Sequence, residues 1–331
     1  MIISRTPFRV SLFGGGTDYP QWYRSHGGSV LGFAINKYCY ITLRELPPFF
    51  EHKHRIVYSR VELVRGIEEI QHPAVRAVLQ DKKIRHGVEL HHDGDLPARS
   101  GLGSSSSFTV GLLNALAALE GRMLSRQELA AEAIRIEQEV IRENVGSQDQ
   151  VWAAYGGLNR IDFNTDGTRA VLPVVVPPAR RQALESSLML FFTGFSRFAS
   201  EVAKKKIENF ATREAHLKGL RQNVEEGLAI LQDERRSLDE LGRLLHEGWR
   251  LKRELADGVS TPAIDEIYQA GLAAGAIGGK LLGAGGGGFM LFYVPAEKRA
   301  AVREQLRDLI HVGFKIEGEG SKIVLYEPNG L

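Results

Sequence analysis

The sequence predicts a two-domain α+β protein, and three observations predict it. The chain has 331 residues, enough for about two domains at roughly 150 residues each. Strands alternate with helices through the first half, whereas the second half carries long charged helical segments with strands interleaved. A Pro-rich stretch, Leu172-Pro-Val-Val-Val-Pro-Pro178, lies between them. We therefore expect domains at residues 1–175 and 176–331, joined near 165–180, the second a sandwich of the split βαβ kind.

Each element follows from local pattern. Arg9 to Phe13 is a short strand running into a glycine cluster, and Tyr38 to Leu43 and Arg55 to Tyr58 carry the β-branched and apolar residues of strands. A helix is expected around His72 to Gln80 and a strand over Gly87 to His92. After the loop DGDLPARSGLG, an apolar run from Ser104 to Leu119 reads as a helix, with Gly121 as its C-cap. Ser125 and Glu128 make a capping box for a helix reaching Asn144. Beyond the prolines, Leu188 to Thr193 is a buried strand. Helical segments cover Ser200 to Arg235, Ser237 to Asp257 and Pro262 to Gly275. The chain finishes with a strand over Phe289 to Val294, a helix over Ala296 to Leu309 and a strand over Lys322 to Tyr326.

Composition excludes several functions. Hydrophobic residues are 43% and charged residues 25%, so the chain can bury full cores. Lys+Arg 42 against Asp+Glu 40 gives no electrostatic footprint for nucleic acid. A single cysteine, Cys39, rules out an internal disulfide and a thiolate zinc cluster. With no signal segment and no apolar run of about 18 residues, the expected protein is cytoplasmic, with no membrane partner, as a monomer or homodimer.

Glycine is over-represented, at 36 residues, about 11% against a usual 7%. The excess clusters at Gly14 to Gly16, at Gly101 and Gly103, and at Gly283 with Gly285 to Gly288. The second cluster opens Gly101-Leu102-Gly103-Ser104-Ser105-Ser106-Ser107 at the start of the Ser104 helix. Glycines that let backbone close on phosphate, free N–H groups and the positive dipole end make an anion cradle. One serine suffices for capping, the alternative reading, and four are in excess of it. Familiar phosphate motifs are absent: Gly279-Lys280 is followed by Leu281 rather than a hydroxyl, so it is not a Walker loop, and no GxGxxG sits in a βαβ unit.

Winding the Ser125 helix at about 100° per residue puts Glu137 in the middle of the apolar stripe, between Leu129 and Val140 on one side and Ile141 and Ile134 on the other. Glu132, Glu139 and Glu143 fall outside it. A buried carboxylate needs a cation, a metal or a polar cleft, and a structural arginine partner would also serve. Asp149, in Gly146-Ser-Gln-Asp149-Gln, reads as either a helix cap or a catalytic carboxylate. Lys280-Leu-Leu-Gly283-Ala284-Gly285-Gly-Gly-Gly288 can lay bare backbone against a ligand or be a flexible turn. Asp18 and Tyr19 add groups able to read hydroxyls. The paired histidines, His52 with His54 and His91 with His92, suit solvated loops better than metal sites.

Together, in order and spacing, these segments resemble the three motifs of the GHMP kinases. Pro97 to Ser107 is similar to the P-x-x-x-G-L-G-S-S phosphate loop, Pro7 to Tyr19 to the galactokinase-type first motif, and Lys280 to Gly288 to the third. Within the family, GGGTDYPxWYxxxGG, INKY and GSQDQ look most like bacterial heptose 7-phosphate kinases, and less like the kinase part of fucokinases. The resemblance implies an N-terminal domain like that of ribosomal protein S5 domain 2 and a ferredoxin-like C-terminal domain, with ATP and Mg2+ as cofactors.

By the same resemblance, Asp149 is the catalytic aspartate and Arg9 its basic partner. Gly101 to Ser107 hold the nucleotide, and Ser105 and Glu137 the magnesium. Gly15, Gly16, Thr17, Asp18, Tyr19, Gly283, Ala284, Gly285 and Arg197 surround the substrate. Lys37 and Arg197 are candidate cations for a phosphate tail. Galactokinases have Glu-His where Gly15 and Gly16 stand, so space and charge are freed for a longer anionic substrate. The implied reaction phosphorylates C1 of a heptose 7-phosphate, on a route to nucleotide-activated heptose for surface polysaccharide. An unphosphorylated hexose such as fucose, galactose or mannose is the alternative acceptor, and a non-catalytic sugar- or nucleotide-binding regulator the alternative class.

Overall fold

The computed structural model describes residues 1–98, 100–194 and 199–328. Its first half is organised on two long strands, β1 (Ile2–Phe13) and β2 (Gly28–Glu45), which pair antiparallel along most of their length. Helix α1 (Pro20–His26) fills the connection. Both strands outrun the short ones expected from sequence. Their polar positions are buried too, as Ser4 and Thr6 show, so the polar–apolar alternation that marks a strand is blurred. The hairpin β3 (His54–Val57) and β4 (Val61–Val64) leads to α2 (Pro73–Asp81) and β5 (Val88–Gly94).

Next come α3 (Ser104–Leu119), α4 (Arg126–Arg135), a single π turn over Ile136–Val140, and α5 (Gln148–Tyr155). Strands β6 (Leu158–Phe163) and β7 (Arg169–Pro173) then close the first half. Pro178 does not open a linker but stands at the first position of α6 (Pro178–Ser187), where the missing N–H costs nothing.

The second half runs β8 (Leu188–Phe192), α7 (Ala199–Asn209), α8 (Glu214–Gln232), α9 (Asp239–Arg253) and α10 (Pro262–Ala273). It ends with β9 (Gly278–Leu281), β10 (Phe289–Tyr293), α11 (Arg299–Gln305), β11 (Ile310–Val312) and β12 (Lys322–Tyr326). The helix expected over Ser200 to Arg235 is thus two helices. The chain turns where the carbonyl of Asn209 accepts from the N–H groups of Thr212 and Arg213.

Two sheets result. The larger has the order β12-β1-β2-β5-β3-β4, with β6 and β7 added on β2; the smaller is β11-β8-β10-β9. Strand β2 serves two partners, β6 along Gly28 to Phe33 and β5 along Cys39 to Glu45. The final strand belongs to the second half in sequence yet pairs with β1, so the chain returns to the first sheet. Helix α3 is buried from Ser106 to Ala118 against β1 and β2. Gly111 permits this approach: a Cβ there would stand 2.8 Å from the hydroxyl oxygen of Thr6. Trp249, Ile264 and Tyr268 pack on one face of the small sheet, while Leu190 and Leu291 on the other face join the main core. Among the described residues no helix is long and apolar enough to cross a membrane.

Candidate active site

Strand β1 carries Arg9 into the interior, and the turn before α5 brings Asp149 to it. The guanidinium grips the carboxylate with two parallel bonds, Nε to Oδ1 at 2.8 Å and Nη2 to Oδ2 at 2.7 Å. Its remaining arm donates to the carbonyl of Gly101 at 2.6 Å. A fork of this kind fixes both planes. Arg9 is buried, while Asp149 keeps a quarter of its side chain open to a cleft of about 390 Å³.

The phosphate-loop residues divide in two. Gly101, Gly103, Ser104, Ser105 and Ser106 line the cleft. Leu102 and Ser107 instead hold the loop: the Leu102 carbonyl accepts from the Arg9 N–H, and the Ser107 hydroxyl donates to the carbonyl of Pro7. Gly101 and Gly103 have φ of 81° and 77°, and the N-terminus of α3 opens directly after them. The third glycine-rich segment touches this loop backbone to backbone. A Cβ on Gly283 would lie 2.5 Å from the Gly101 Cα, and one on Gly101 would lie 2.6 Å from the Leu282 carbonyl oxygen. Only glycine fits at either position.

Glu137 is buried, as the helical wheel requires, though the helix does not continue as that wheel assumed. At Ile136 it widens into the π turn, with the Ile141 N–H bonded to the Ile136 carbonyl. The phase shift leaves Val140 exposed although the wheel placed it in the stripe. Ser106 donates to Glu137 Oε2 at 2.9 Å, as does the Gln150 amide, and Oε1 is buried without a partner among the described residues. Burial pushes this carboxyl up to about 7, against the lowering effect of its hydrogen bonds. The serine in contact is thus Ser106, whereas Ser105 is exposed at the cleft.

Another part of the cleft wall is formed by Gly15, Gly16, Asp18 and Tyr19, with Asp18 packed beside Gly146 near Asp149. Asp18 is buried and accepts the Gly16 N–H at 2.9 Å; desolvation, with Asp149 nearby, raises its pKa. Tyr19 packs edge-on against Phe210. The buried atoms Ser11 Oγ and Gln148 Oε1, both on the cleft, have no partner among the described residues. Thr17 faces inward, bonded to the carbonyls of Gly14 and Ser29, and ties the turn. Ala284 joins Gly283 on the cleft, but Gly285 packs on Val259 behind it. Lys37 lies on β2 outside the cleft lining. Arg197 falls outside the described residues.

Sequence reading missed Lys206 and Lys252 and gave Lys280, at the head of the third glycine-rich segment, no role of its own. Lys206 on α7, Lys252 on α9 and Lys280 on β9 all line the cleft and are nearly buried. The wheel that found Glu137 would have found two of them. Lys252 follows Leu241, Leu245 and Trp249 on the buried stripe of α9, and Lys206 follows Val202 and Ala203 on α7.

An anion cradle opening onto a carboxylate that a guanidinium already orients is suited to moving a phosphoryl group onto a hydroxyl. Comparison with known proteins agrees. Residues 67–157 match the GHMP kinases N terminal domain and residues 225–311 the GHMP kinases C terminal domain. A D-glycero-alpha-D-manno-heptose 7-phosphate kinase of Campylobacter jejuni is 30% identical over 323 residues, covering 92% of this chain and 93% of that protein. A bifunctional fucokinase/GDP-fucose pyrophosphorylase of Arabidopsis thaliana is 26% identical, over 94% of this chain but 31% of that larger protein. The crystal structure of a D-glycero-D-manno-heptose 1-phosphate kinase from Bacteroides thetaiotaomicron matches the fold with a TM-score of 0.80 at 23% identity, over 99% of this chain and 100% of that one. The chain belongs to the GHMP kinase family. It is a phosphotransferase with an alcohol group as acceptor, and ATP is the phosphoryl donor of such kinases.

Proposed function

We propose that this sugar kinase transfers the γ-phosphoryl group of ATP to the C1 hydroxyl of D-glycero-D-manno-heptose 7-phosphate, giving the 1,7-bisphosphate. The observation that carries the reaction is the Arg9–Asp149 fork sharing one cleft with the α3 cradle. The likeness to the Campylobacter enzyme supports the acceptor. Asp149 orients the acceptor hydroxyl and takes its proton as the oxygen bonds to the γ-phosphorus. The bond from that phosphorus to the bridging oxygen breaks, and ADP leaves. Arg9 keeps the carboxylate aimed and offsets the negative charge that develops on the acceptor oxygen. Ser104 to Ser106 and the N–H groups at the start of α3 receive the phosphates.

The donor set also fits magnesium, which takes one or two carboxylates and fills its shell with waters and phosphate oxygens. Glu137, whose Oε1 has no partner among the described residues, and the hydroxyls of Ser105 and Ser106 would hold it. Bound there, the ion neutralises charge on the transferred phosphoryl group.

The test is ATP consumption with magnesium across heptose 7-phosphate, free heptose, mannose, fucose and galactose, with Asp149→Asn alongside. Preference for the 7-phosphate, abolished in the variant, is expected. Turnover of a free hexose alone would make the protein a hexose 1-kinase, and binding without turnover of any member would favour a regulator. Gly15→Glu sharpens the acceptor assignment, because its carboxylate enters the wall beside Asp18. It should selectively remove use of the phosphorylated sugar; equal loss with free sugar would sink that role for Gly15.

A further inference from the structure

Lys206, Lys252 and Lys280 come from three elements and line the same cleft, the first two bonded to the carbonyls of the segment between β9 and β10 and the third to β1. Lys206 donates to the Ala284 carbonyl, Lys252 to those of Leu281 at 2.7 Å and Gly283 at 2.6 Å, and Lys280 to that of Leu12 at 2.7 Å. Each ammonium has three N–H donors, so these bonds leave every one of them with capacity for another acceptor. Among the described residues none of the three makes an ion pair. Burial opposes protonation of all three, with Arg9 and neighbouring lysines adding to this at Lys252 and Lys280, and Asp18 is the carboxylate whose charge favours it.

Burying three amines that are bonded to carbonyls and share one nearby carboxylate, Asp18, is costly in their charged form, and the cost is recovered when an anion enters. The cradle has its own donors for the triphosphate. The lysines continue the wall of Gly16 and Tyr19 instead: Ala203, one turn before Lys206, packs in the cluster that holds Tyr19, and Gly16 rests on Leu217 and Leu255 of the same cluster.

The geometry points to a second phosphate seat, formed by Lys206, Lys252 and Lys280, that receives the phosphate monoester already present on the acceptor and thereby selects a phosphorylated sugar. It rests on the reading of the acceptor as a sugar phosphate. It replaces Lys37, which is off the cleft, as the source of positive charge for that tail. A dianionic phosphate suits the seat, since its oxygens can accept from all three amines at once.

The test compares the wild type with Lys206→Met and Lys252→Met, which remove charge at similar length, on heptose 7-phosphate, free heptose and ATP. In the wild type, kcat/KM should favour the phosphorylated sugar. In each variant that preference should collapse by about 100-fold, carried by KM for the sugar phosphate, with KM for ATP moving less than threefold and Lys206→Arg restoring part of the preference. Loss expressed in KM for ATP would assign the lysines to the nucleotide's terminal phosphate and overturn the seat. Equal loss on both sugars in folded variants would overturn it as well, while the sugar phosphate remained the wild type's substrate. A wild type that turns over only free sugars would overturn the acceptor reading first, and the seat with it. Thermal unfolding of each variant separates these outcomes from misfolding.

Discussion

The two walls of the cleft handle buried charge in opposite ways. On one, the Arg9 charge is answered inside the protein by a bidentate carboxylate and a carbonyl. On the other, Lys206, Lys252 and Lys280 are answered by backbone carbonyls, with the nearby Asp18 charge shared among them and no ion pair to any of them among the described residues. A paired charge holds its geometry whether or not substrate is bound. A cluster of like charges is completed only by what it binds, and on the proposed reading the first wall serves chemistry and the second selection.

The comparison breaks most decisively at Asp149. Asp149→Asn should lower kcat by about 10³, within the range for loss of a general base, and Tm should fall as well, because the amide oxygen accepts only one of the two Arg9 bonds and the amide NH2 faces the other donor. A kcat within tenfold of wild type in steady-state assays would count against Asp149 as base. Next in size is Gly101→Ala, which drives a Cβ against the Leu282 carbonyl in a left-handed backbone. Denaturant unfolding should show a loss of about 2–4 kcal/mol, with KM for ATP rising alongside.

The lysine wall predicts the opposite sign. Burial holds Lys280 at about 7 and Lys206 at about 8, below the ordinary lysine value, with Arg9 and Lys206 adding to the effect on Lys280 and Asp18 opposing it on both. The unfolded chain therefore binds more protons between those values and about 10.5, and the unliganded enzyme should grow more stable as pH rises through that window. Lys280→Met should stabilise the unliganded protein at pH 7 by about 1–2 kcal/mol, net of its lost hydrogen bond, and flatten the pH dependence. A destabilised variant with an unchanged pH profile would show the charge to be harmless where it lies. The smallest effect is Gly15→Ala. The new Cβ would meet Ser11 Oγ at 3.6 Å and Gln148 Nε2 at 3.7 Å, an ordinary contact, so unfolding free energy should change by less than about 0.5 kcal/mol.

Much of this was legible in the chain. The glycines and serines of Gly101 to Ser107 announce a cradle because few other uses need both the positive φ and the spare hydroxyls. Glu137 was legible because a carboxylate in an apolar stripe needs an explanation. Less visible were the strands β4, β6, β7, β9 and β11, which are short or carry buried polar residues that blur the alternation. The π turn was hidden as well, because a wheel drawn at constant pitch cannot register one extra residue in a turn.

By itself the sequence determined the α+β class, the glycine- and serine-rich start of α3 and the place of Glu137 in an apolar stripe, since local pattern specifies each, while Arg9 and the choice of Asp149 as a catalytic carboxylate came from the resemblance to the GHMP kinases. Only the tertiary structure decided that Ser106 rather than Ser105 touches Glu137, that β12 returns to β1, and that three lysines from α7, α9 and β9 share one wall. Those facts depend on which faces of distant elements meet, and packing of the whole chain sets that.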